Sequence, residues 1–452
     1  MSLSTHRRGM GAIALACASA LVLSACGGDG ESTDDPTTPT GDATTAETEE
    51  TGDATDEPTD DGEGTDEPAA EGEGGPRDLN LTLGTVLPQT GALGFLGPPE
   101  EAGVGLAVEK INEADLGLNV TIEWGDSGDP DNRAFETTIP RLLNANVSAI
   151  IGAASSGVTA LFLDNVVGAG VVTMSPANTS PEFTTWDDDG LYFRTAPSDA
   201  LQGEVLGNLI SEDGHSTLGI IYLNDPYGIG LNDATTENFT AAGGEVVAAE
   251  SYNAGDTSFD AQVSTILAAN PDAIAVIAFE ESATIIPAFV ADGFEGSNFY
   301  LVDGNMSQWG DRMPVSLEGS KGTTPMGEEI GDDWFQELED WWMGYSNESL
   351  DGETSYAAES YDAVNLLALA AFAANSTDSR AIADKLQEVS GGTGGGEKCT
   401  DFATCAQIIL DGGVADYDGL SGPIDFDDNG DPTGATIGVF EFGADNTYTR
   451  IN

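Results

Sequence analysis

Strand-like and helix-like segments alternate regularly along this chain, and few architectures accommodate that pattern. Short apolar runs are followed by longer segments with helical periodicity. The alternation predicts parallel sheets with helices covering both faces. The first series predicts strands at 79–86, 120–124, 149–152 and 171–174 and helices at 100–112, 133–144 and 158–167.

A second series begins after the strand-like segment 192–195. It predicts helices at 200–211, 230–242, 259–269 and 284–292 and strands at 218–223, 246–252, 273–279 and 299–302. From Asp332 the pattern is more helical, at 334–345 and 357–374, before a strand-like end at 435–442. Because the 376 residues after Pro76 exceed what one core usually holds, we expect an α/β chain with two doubly wound parallel-sheet lobes and a cleft between them.

The N-terminal segment has the features of a lipoprotein signal peptide. Arg7 and Arg8 precede an apolar stretch, 12–23, that is shorter than a typical membrane span, and Leu23-Ser24-Ala25-Cys26 is a lipobox pattern. It predicts that residues 1–25 are removed and that Cys26 carries a lipid, so the mature chain is extracytoplasmic and anchored to the cell membrane. An ordinary secretory signal with an incidental cysteine is the alternative.

Residues 26–76 are predicted to form an acidic, disordered tether. From Gly27 to Pro76 the chain has no Lys, Arg or aromatic residue and carries 18 Asp and Glu side chains. Such a segment lacks the apolar surface that would offset the entropy lost on ordering, and its like charges repel one another. It can serve as a spacer through a cell-wall layer, although an acidic tail without a spacing role fits equally well.

The body that follows is also strongly acidic. After Pro76 it has 61 of the 79 acidic residues against 11 Lys and Arg, a net charge of about −50. Such a charge repels nucleic acid and anionic lipid, which excludes both as partners of the body. A saline habitat is the explanation we favour, because concentrated salt would screen the repulsion within the folded chain.

Two of the four cysteines remain in the exported body. Cys17 is lost with the signal peptide and Cys26 takes the lipid, whereas Cys399 and Cys405 are six positions apart. In an oxidising compartment this spacing predicts a disulfide, with two free thiols as the alternative. A metal site would need more ligands than His215, the one histidine of the mature chain, can supply.

Catalytic motifs are scarce. The sequence has no phosphate-binding Gly-rich loop with Lys, no His-Glu-x-x-His and no Gly-x-Ser-x-Gly, and His215 lies in the turn-like Asp213-Gly214-His215-Ser216. The Asp-rich segment 425–431 is similar to a calcium loop, but its spacing does not match an EF-hand, so a solvated acidic turn is favoured. We expect a protein without cofactor or metal that is not an enzyme.

Two loops at predicted strand ends carry the strongest binding signal. The segment 150–159 runs from a buried strand through Ser155 and Ser156 into a helix, whose first backbone N–H groups can bind an anion. The next strand ends in 173–181, at an edge where open α/β sheets hold ligands. N-capping by Ser155 or Ser156 and a turn fixed by Pro176 explain the same residues without a ligand.

Several short motifs occur in an order that is typical of one protein family. They are Leu87-Pro88-Gln89-Thr90-Gly91, 105–112, Gly125-Asp126-Ser127-Gly128-Asp129-Pro130, the two loops, Asn224-Asp225-Pro226-Tyr227-Gly228, Val302-Asp303-Gly304 and Ser421-Gly422-Pro423-Ile424-Asp425-Phe426. From about Leu81 to Phe442 the chain thereby resembles the branched-chain amino-acid (Leu/Ile/Val) substrate-binding proteins of ABC transporters. This resemblance implies the type 1 periplasmic-binding fold; the ligand is less certain to carry over, since such folds accept many small solutes.

The resemblance implies a polar site for a free amino acid in the cleft. Ser156 and Thr179 would bind the α-carboxylate through their hydroxyl and backbone N–H groups. The carbonyl of Ala177 and the carboxylate of Asp303 would bind the α-ammonium, because a desolvated cation requires an opposite charge. Tyr227 would cover the ligand from the second lobe. For Asp303, a place in a surface loop is the alternative.

It also implies an apolar wall around the ligand side chain. Phe95, Leu96 and Phe279 fall near the family positions that surround this side chain, although the aromatic pattern departs from the family's. The side-chain preference therefore stays open, and packing in the core explains these three residues equally well.

The mechanism implied by the resemblance is hinge closure. The chain would cross between lobes near Pro197, Thr323 and Gly422, which gives lobe 1 as 77–197 with 324–422 and lobe 2 as 198–323 with 423–452. Ligand contacts from both lobes would favour the closed state. We expect a monomer that docks on ABC permease subunits, touches the membrane through the lipid anchor alone, and leaves ATP hydrolysis to separate subunits.

Three alternatives remain at this point. A sensor with the same fold would report ligand to a signalling partner instead of a permease. Other ligands, such as amides, urea or aromatic acids, would fit the same fold. A surface hydrolase would use acidic residues of the cleft, but carboxylates occur throughout this composition and do not support it by their presence.

Overall fold

The computed structural model describes residues 76–325 and 330–452. Five short apolar segments form its first sheet: β1 (Leu79–Val86), β2 (Leu118–Glu123), β3 (Ala149–Gly152), β4 (Val172–Ser175) and β5 (Tyr192–Arg194). Their order is β2-β1-β3-β4-β5, and all pairs are parallel. In this register Val86 lies beside Gly152, so the loops after β1 and β3 leave the same edge of the sheet.

Parallel neighbours require crossover connections, and helices supply them. The connections of the first sheet contain α1 (Gly97–Glu113), α2 (Phe135–Asn144) and α3 (Ser156–Gly168). The chain then enters α4 (Asp199–Glu212), β6 (Thr217–Leu223), α5 (Pro226–Ala241), β7 (Glu245–Tyr252), α6 (Asp260–Ala268), β8 (Ala273–Ile277), α7 (Ser282–Ala291), β9 (Phe299–Leu301) and β10 (Lys321–Pro325). Short 3-10 turns lie at Pro181–Thr185, Gly296–Asn298, Asp303–Asn305 and Gly310–Arg312.

The C-terminal part returns to both sheets. Its elements are α8 (Asp332–Ser346), α9 (Ala357–Ala374), α10 (Ser379–Val389), β11 (Glu397–Cys399), α11 (Phe402–Leu410), β12 (Ala415–Gly419), β13 (Gly422–Pro423), β14 (Ile437–Phe442) and β15 (Tyr448–Arg450). The second sheet has the order β15-β14-β10-β9-β8-β6-β7, and β11, β12 and β13 form a small separate sheet.

Two apolar cores cover the two large sheets. The buried face of α9 packs with α1 and with strands β1 to β4, and the core of the second sheet is built from β6, β8 and β9 with α5, α6 and α7. We call the first sheet with α1 to α3 and α8 to α11 the first half, and the second sheet with α4 to α7 the second half. In the part of the chain described, no helix combines the length and apolarity needed to cross a membrane.

The predicted α/β architecture is confirmed, with differences in detail. Each predicted strand and helix is present, with ends shifted by a few residues, but β10, α10, α11, β15 and the small sheet were not predicted. The second sheet is mixed rather than wholly parallel, because β14 pairs antiparallel with both β10 and β15. A hairpin needs no crossover helix, which explains the direction of β15 relative to β14, whereas β14 reaches β10 from a distant part of the chain.

The division into lobes stays a prediction, and one observation bears on its last boundary. Ile424 and Phe426 pack in the core of the first half, and Asp431 pairs with Arg194 at the end of β5. Strand β14, starting at Ile437, lies in the second sheet. We therefore propose that the third crossing lies between Asp431 and Ile437 rather than near Gly422.

Candidate functional site

A small pocket of about 10 Å³ lies where the carboxyl ends of the two large sheets face each other. Its lining residues come from the loops after β1, β3, β4, β8 and β9, from the first turn of α5 and from the start of α9. They are Leu93, Leu96, Ala154, Ser155, Ser156, Ala177, Thr179, Tyr227, Phe279, Asp303, Gly304 and Tyr356. Carboxyl ends of parallel strands are where open α/β folds place ligands.

The structure brings together seven of the eight residues that were predicted to bind the ligand. They are Ser156, Ala177, Thr179, Tyr227, Asp303, Leu96 and Phe279. Phe95 is outside the lining and packs, partly buried, against the core of the second half. For Phe95 the packing alternative therefore agrees with the structure, and the ligand roles of the other seven stay predictions.

One wall of the pocket is the start of α3. Ser155 is the N-cap, and its hydroxyl accepts a hydrogen bond from the Val158 N–H at 3.3 Å. Ser156 follows as the first helical residue, is buried, and its hydroxyl accepts from the Ser180 N–H at 3.4 Å. The first N–H groups of a helix have no partner within the helix and carry its positive end, so this wall suits an anion.

The loop after β4 is fixed from behind by buried hydrogen bonds. The Ser175 hydroxyl donates to the Ala153 carbonyl at 2.7 Å, and the Asn178 amide donates to the carbonyls of Ala153 and Ala154. Thr179, on the same loop, is buried and its hydroxyl oxygen has no hydrogen-bond partner. A buried polar atom without a partner is rare in a folded protein, so this hydroxyl is free to meet a ligand.

Arg194 holds the same loop from the other side. Its fully buried guanidinium donates to the carbonyl of Ser180 at 2.7 Å and to that of Asn178 at 3.3 Å, the two residues that flank Thr179. Both carboxylate oxygens of Asp431 accept from it, at 2.6 and 2.8 Å. Burial alone would lower the pKa of Arg194, but the hydrogen bonds to Asp431 outweigh it and raise the pKa.

The opposite wall contains the buried carboxylate of Asp303. Tyr227 and Gln202 donate to its Oδ1 at 2.8 and 3.1 Å, and Tyr356 donates to its Oδ2 at 2.7 Å. Burial raises the pKa of Asp303, whereas the hydrogen bonds from Tyr356, Tyr227 and Gln202 lower it. Asp303 is thus buried rather than placed in a surface loop, and the surface-loop alternative is wrong.

A second buried acid, Asp199, was missed by the sequence reasoning. It begins α4, its N–H donates to the Thr179 carbonyl at 2.7 Å, and neither carboxyl oxygen has a hydrogen-bond partner. Burial first, and then the nearby charge of Asp303, raise its pKa well above the usual value. The Thr179 hydroxyl lies near the Asp199 carboxyl group and lowers its pKa, although the two groups are not aligned as a hydrogen bond.

Neither Asp199 nor Asp303 forms an ion pair in the described part of the chain. Among the ion pairs of residues 76–325 and 330–452, none includes Asp199 or Asp303. The nearby Arg194 is committed to Asp431. Asp303 lines the pocket, whereas Asp199 lies behind the lining and its raised pKa favours the neutral acid. A buried carboxylate without a countercharge is costly, so the wall at Asp303 favours a cationic group.

Aromatic rings close the pocket. Tyr227 stacks on Phe279 with ring centroids 5.4 Å apart and an interplanar angle of 19°. The space beside them requires glycine at position 304, since a Cβ there would lie 2.8 Å from the Phe279 ring and 2.9 Å from the Tyr227 hydroxyl. Leu93 and Leu96 add aliphatic surface. The pocket therefore combines an anion-binding wall, an acidic wall and an apolar lining.

The signals for Asp199 and Tyr356 in the sequence were weak. Asp199 sits in Ser198-Asp199-Ala200, which matches an ordinary capped helix start, because acids are common in the first turn of helices. Tyr356 precedes an Ala-rich helix that reads as a core element. Their partner Asp303 is distant in the sequence, so periodicity could not connect them.

The remaining predicted features lie apart from the pocket. Cys399 and Cys405 form the predicted disulfide, with Cα atoms 5.4 Å apart. His215 packs against the Tyr300 ring just before β6, at the amino end of that strand. Cys26, predicted to carry a lipid, lies outside the described residues.

The Asp-rich segment is used for internal hydrogen bonds. Asp427 Oδ1 accepts from the N–H groups of Asn429 and Asp431, and Asp431 pairs with Arg194. Within the described ranges no group of three or more acidic, His or Cys side chains is arranged to hold a metal ion.

Comparison with known proteins gives one family. A model described as periplasmic binding protein matches residues 80–434. The chemotactic signal transduction system substrate-binding protein BasB of Halobacterium salinarum is 26% identical over 364 residues, which cover 76% of this chain and 83% of BasB. Leu/Ile/Val-binding protein homolog 1 of Brucella abortus is 25% identical over 385 residues, 82% of this chain and 93% of the relative.

Solved structures share the fold. A leucine-binding protein from Thermotoga maritima has a TM-score of 0.67 at 21% identity and covers 82% of this chain and 98% of its own. A second structure is a branched-chain amino-acid transporter substrate-binding protein from Streptococcus pneumoniae in complex with isoleucine. It has a TM-score of 0.64 at 23% identity and covers 82% of this chain and 100% of its own. A solute-binding protein from R. palustris in complex with benzoate has a TM-score of 0.64 at 16% identity. It covers 82% of this chain and 96% of its own.

Proposed function

The chain belongs to the periplasmic binding protein family, and from that premise we propose that it binds a free amino acid in the pocket between its two halves. The ligand is branched-chain or similarly apolar. The two halves close around it, and the closed form delivers it to the permease of an ABC importer.

The distribution of charge across the pocket carries this proposal. The start of α3 and the Thr179 hydroxyl present donors, while Asp303 presents a buried acid that forms no ion pair among the described residues. A zwitterion with its carboxylate toward α3 and its ammonium toward Asp303 satisfies both walls at once. A ligand with one charge would leave the other wall unsatisfied, at a cost of several kcal/mol per buried charge.

The apolar lining supports an apolar side chain on the ligand. Leu93, Leu96 and Phe279 line the pocket, and none of them offers a hydrogen-bonding side chain. Relatives named as Leu/Ile/Val-binding proteins and the isoleucine complex of a structural neighbour point the same way.

A role in transport rests on the relatives' names. The structural neighbour from Streptococcus pneumoniae is named as the substrate-binding protein of a branched-chain amino-acid transporter, and the relative from Brucella abortus as a Leu/Ile/Val-binding protein homolog. A sensory role is the second candidate, because the relative from Halobacterium salinarum is named as part of a chemotactic system. Permease and ATPase genes beside this one would favour transport, whereas a kinase gene would favour sensing.

We further propose that the mature chain is held outside the cell by a lipid on Cys26, through the tether 26–76. A Cys26→Ala variant should then appear in the culture medium instead of the membrane fraction, and mass spectrometry should find no lipid at its N-terminus. Retention of this variant in the membrane would contradict the lipid anchor.

Calorimetry with matched ligands tests the amino-acid site. In molar KCl we expect l-leucine, l-isoleucine or l-valine to bind, and 4-methylpentanoate, which lacks the amine of leucine, to bind at least about a hundredfold more weakly. 3-Methylbutylamine, which lacks the carboxylate, should also bind weakly. Binding of 4-methylpentanoate or benzoate as tightly as leucine would replace the amino-acid proposal by a carboxylic-acid receptor, as the benzoate complex of a structural neighbour suggests.

Variants of the acids separate ligand binding from stability. Asp303→Ala should weaken leucine binding far more than it lowers the melting temperature, because the variant removes a ligand charge and also a buried carboxylate that is costly to keep. Asp428→Ala, which removes an exposed acid away from the pocket, should leave the affinity unchanged. Equal affinity of Asp303→Ala and the wild type would remove Asp303 from the site.

A further inference from the structure

Tyr356 joins the two halves of the protein through a direct side-chain hydrogen bond. It is the N-cap residue of α9, which packs in the core of the first half. Its hydroxyl donates to Asp303 Oδ2 at 2.7 Å, and Asp303 follows β9 of the second half. Both side chains are buried, with 5% of their surface exposed. Hydrogen bonds from a neutral donor to a buried carboxylate are among the stronger ones in proteins.

The backbone at Tyr356 is held in an unfavourable conformation. Its φ is +60° and its ψ +9°, in the left-handed region that bulky residues rarely occupy. Such strain persists where the surroundings impose it, and it is concentrated at ligand clamps and switches. Helix α9 starts at the next residue, Ala357. In this conformation of its N-cap residue, the Tyr356 hydroxyl reaches Asp303 of the other half.

Asp303 can keep this bond while it binds a ligand. A carboxylate offers about four acceptor positions. Tyr227 and Gln202 use two on Oδ1, and Tyr356 uses one on Oδ2. One position on Oδ2 remains for an ammonium group. By this count, Asp303 can accept from one ammonium group while Tyr356 keeps its hydrogen bond.

We propose that Tyr356 is a latch residue, whose hydrogen bond to Asp303 stabilises the closed arrangement of the two halves before any ligand arrives. The latch rests on the hinge closure of the proposed function and goes beyond it. Asp303 then has two roles: it binds the ligand ammonium, and it accepts the hydrogen bond from Tyr356 that connects the two halves. Ligand affinity then depends on Tyr356, because its hydrogen bond raises the fraction of closed molecules. The ligand therefore has to supply less binding free energy to close the two halves.

A matched pair of tyrosine variants tests the latch. Tyr356→Phe removes the bond between the halves. Tyr417→Phe removes a bond of the same type, from a buried tyrosine to Asp362 at 2.7 Å, but both of its partners lie in the first half. The closed arrangement is followed by the distance between spin labels on Asn165→Cys in α3 and Glu237→Cys in α5, in the full chain carrying Cys17→Ser and Cys26→Ser.

Without ligand, we expect the short distance to predominate in the background chain and in Tyr417→Phe. Tyr356→Phe should show a second, longer distance, with the ratio of closed to open molecules reduced about tenfold. l-Leucine should bring Tyr356→Phe back to the short distance, with an affinity lower by about the same factor.

Two results would overturn the latch: a ligand-free distance distribution of Tyr356→Phe that matches the background, or an equal shift in Tyr417→Phe. The distance measurement needs no ligand, so it judges the latch even if leucine does not bind. Failure of every amino acid to bind would instead count against the proposed function.

Discussion

The buried pair of Arg194 and Asp431 gives the sharpest prediction for stability. Asp431→Asn keeps the shape of the side chain and removes its charge. Arg194 is fully buried and would then lack a countercharge, although the carbonyls of Asn178 and Ser180 and the Thr184 hydroxyl would still accept from it. Removing one partner of a buried ion pair costs about 3–5 kcal/mol.

This cost converts into a measurable change in melting temperature. Unfolding entropy is about 2.1 cal/mol/K per residue, so the 376 residues after Pro76 give about 0.8 kcal/mol/K. A loss of about 4 kcal/mol then lowers the melting temperature by about 5 °C. The matched control is Asp428→Asn, which makes the same charge change in the same turn at an exposed position whose carboxylate accepts from Gln387 at 3.2 Å.

Differential scanning calorimetry of the two variants decides the question, and hydrogen exchange shows where the effect lies. Since Arg194 holds the loop around Thr179, amides of 176–184 should exchange faster in Asp431→Asn than in Asp428→Asn. Melting temperatures of the two variants within about 1 °C of each other would refute the reasoning, because the buried charge would then need no partner.

Three further predictions concern closure, pH and salt. Gly157→Ala should weaken leucine binding about tenfold, because a Cβ there would lie 2.6 Å from Asp225 Oδ2 of the opposite half. Gly168→Ala, in the same helix with nothing within 4 Å of its Cβ, should bind as the wild type does. Burial raises the pKa of Glu359 from 4.5 to about 8, so the folded protein holds a proton that the unfolded chain releases, and stability is lost as the pH rises from about 4.5 through 8. Chemical denaturation at pH 5 and 9 should therefore show a smaller loss for Glu359→Gln than for the exposed control Glu397→Gln; equal losses would contradict the buried acid. Finally, the melting temperature should rise between low salt and molar KCl, since salt screens the repulsion of a body with net charge about −50, and no rise would remove the saline habitat as the explanation.

The fold could be predicted from the sequence because its information is local. Apolar runs and helical periodicity located the elements up to β9 within a few residues. The strands that were missed, such as β10, β11 and β13, are two to five residues long, and the antiparallel partner of β10 is β14, which starts only at Ile437. Short strands have no periodicity of their own to detect, so tertiary pairing defines them.

The site divides in the same way. The loops at two predicted strand ends pointed to Ser156 and Thr179, because a parallel sheet brings the carboxyl ends of its strands to one edge, whereas Asp303 was identified through the resemblance to the family. Phe95 sits close to the correct loop, but side-chain direction within a loop depends on packing, and the structure turns it away from the pocket lining.

The sequence by itself determined the two sheets and the loops that meet between them, since hydrophobic pattern and strand direction are properties of neighbouring residues. Only the tertiary structure decided which acids are buried without a countercharge and which tyrosine spans the halves. Asp199 and Tyr356 obtain their roles from Asp303, and Tyr356 is separated from it by 53 residues. Burial and desolvation arise from contacts between distant segments, and no local pattern encodes them.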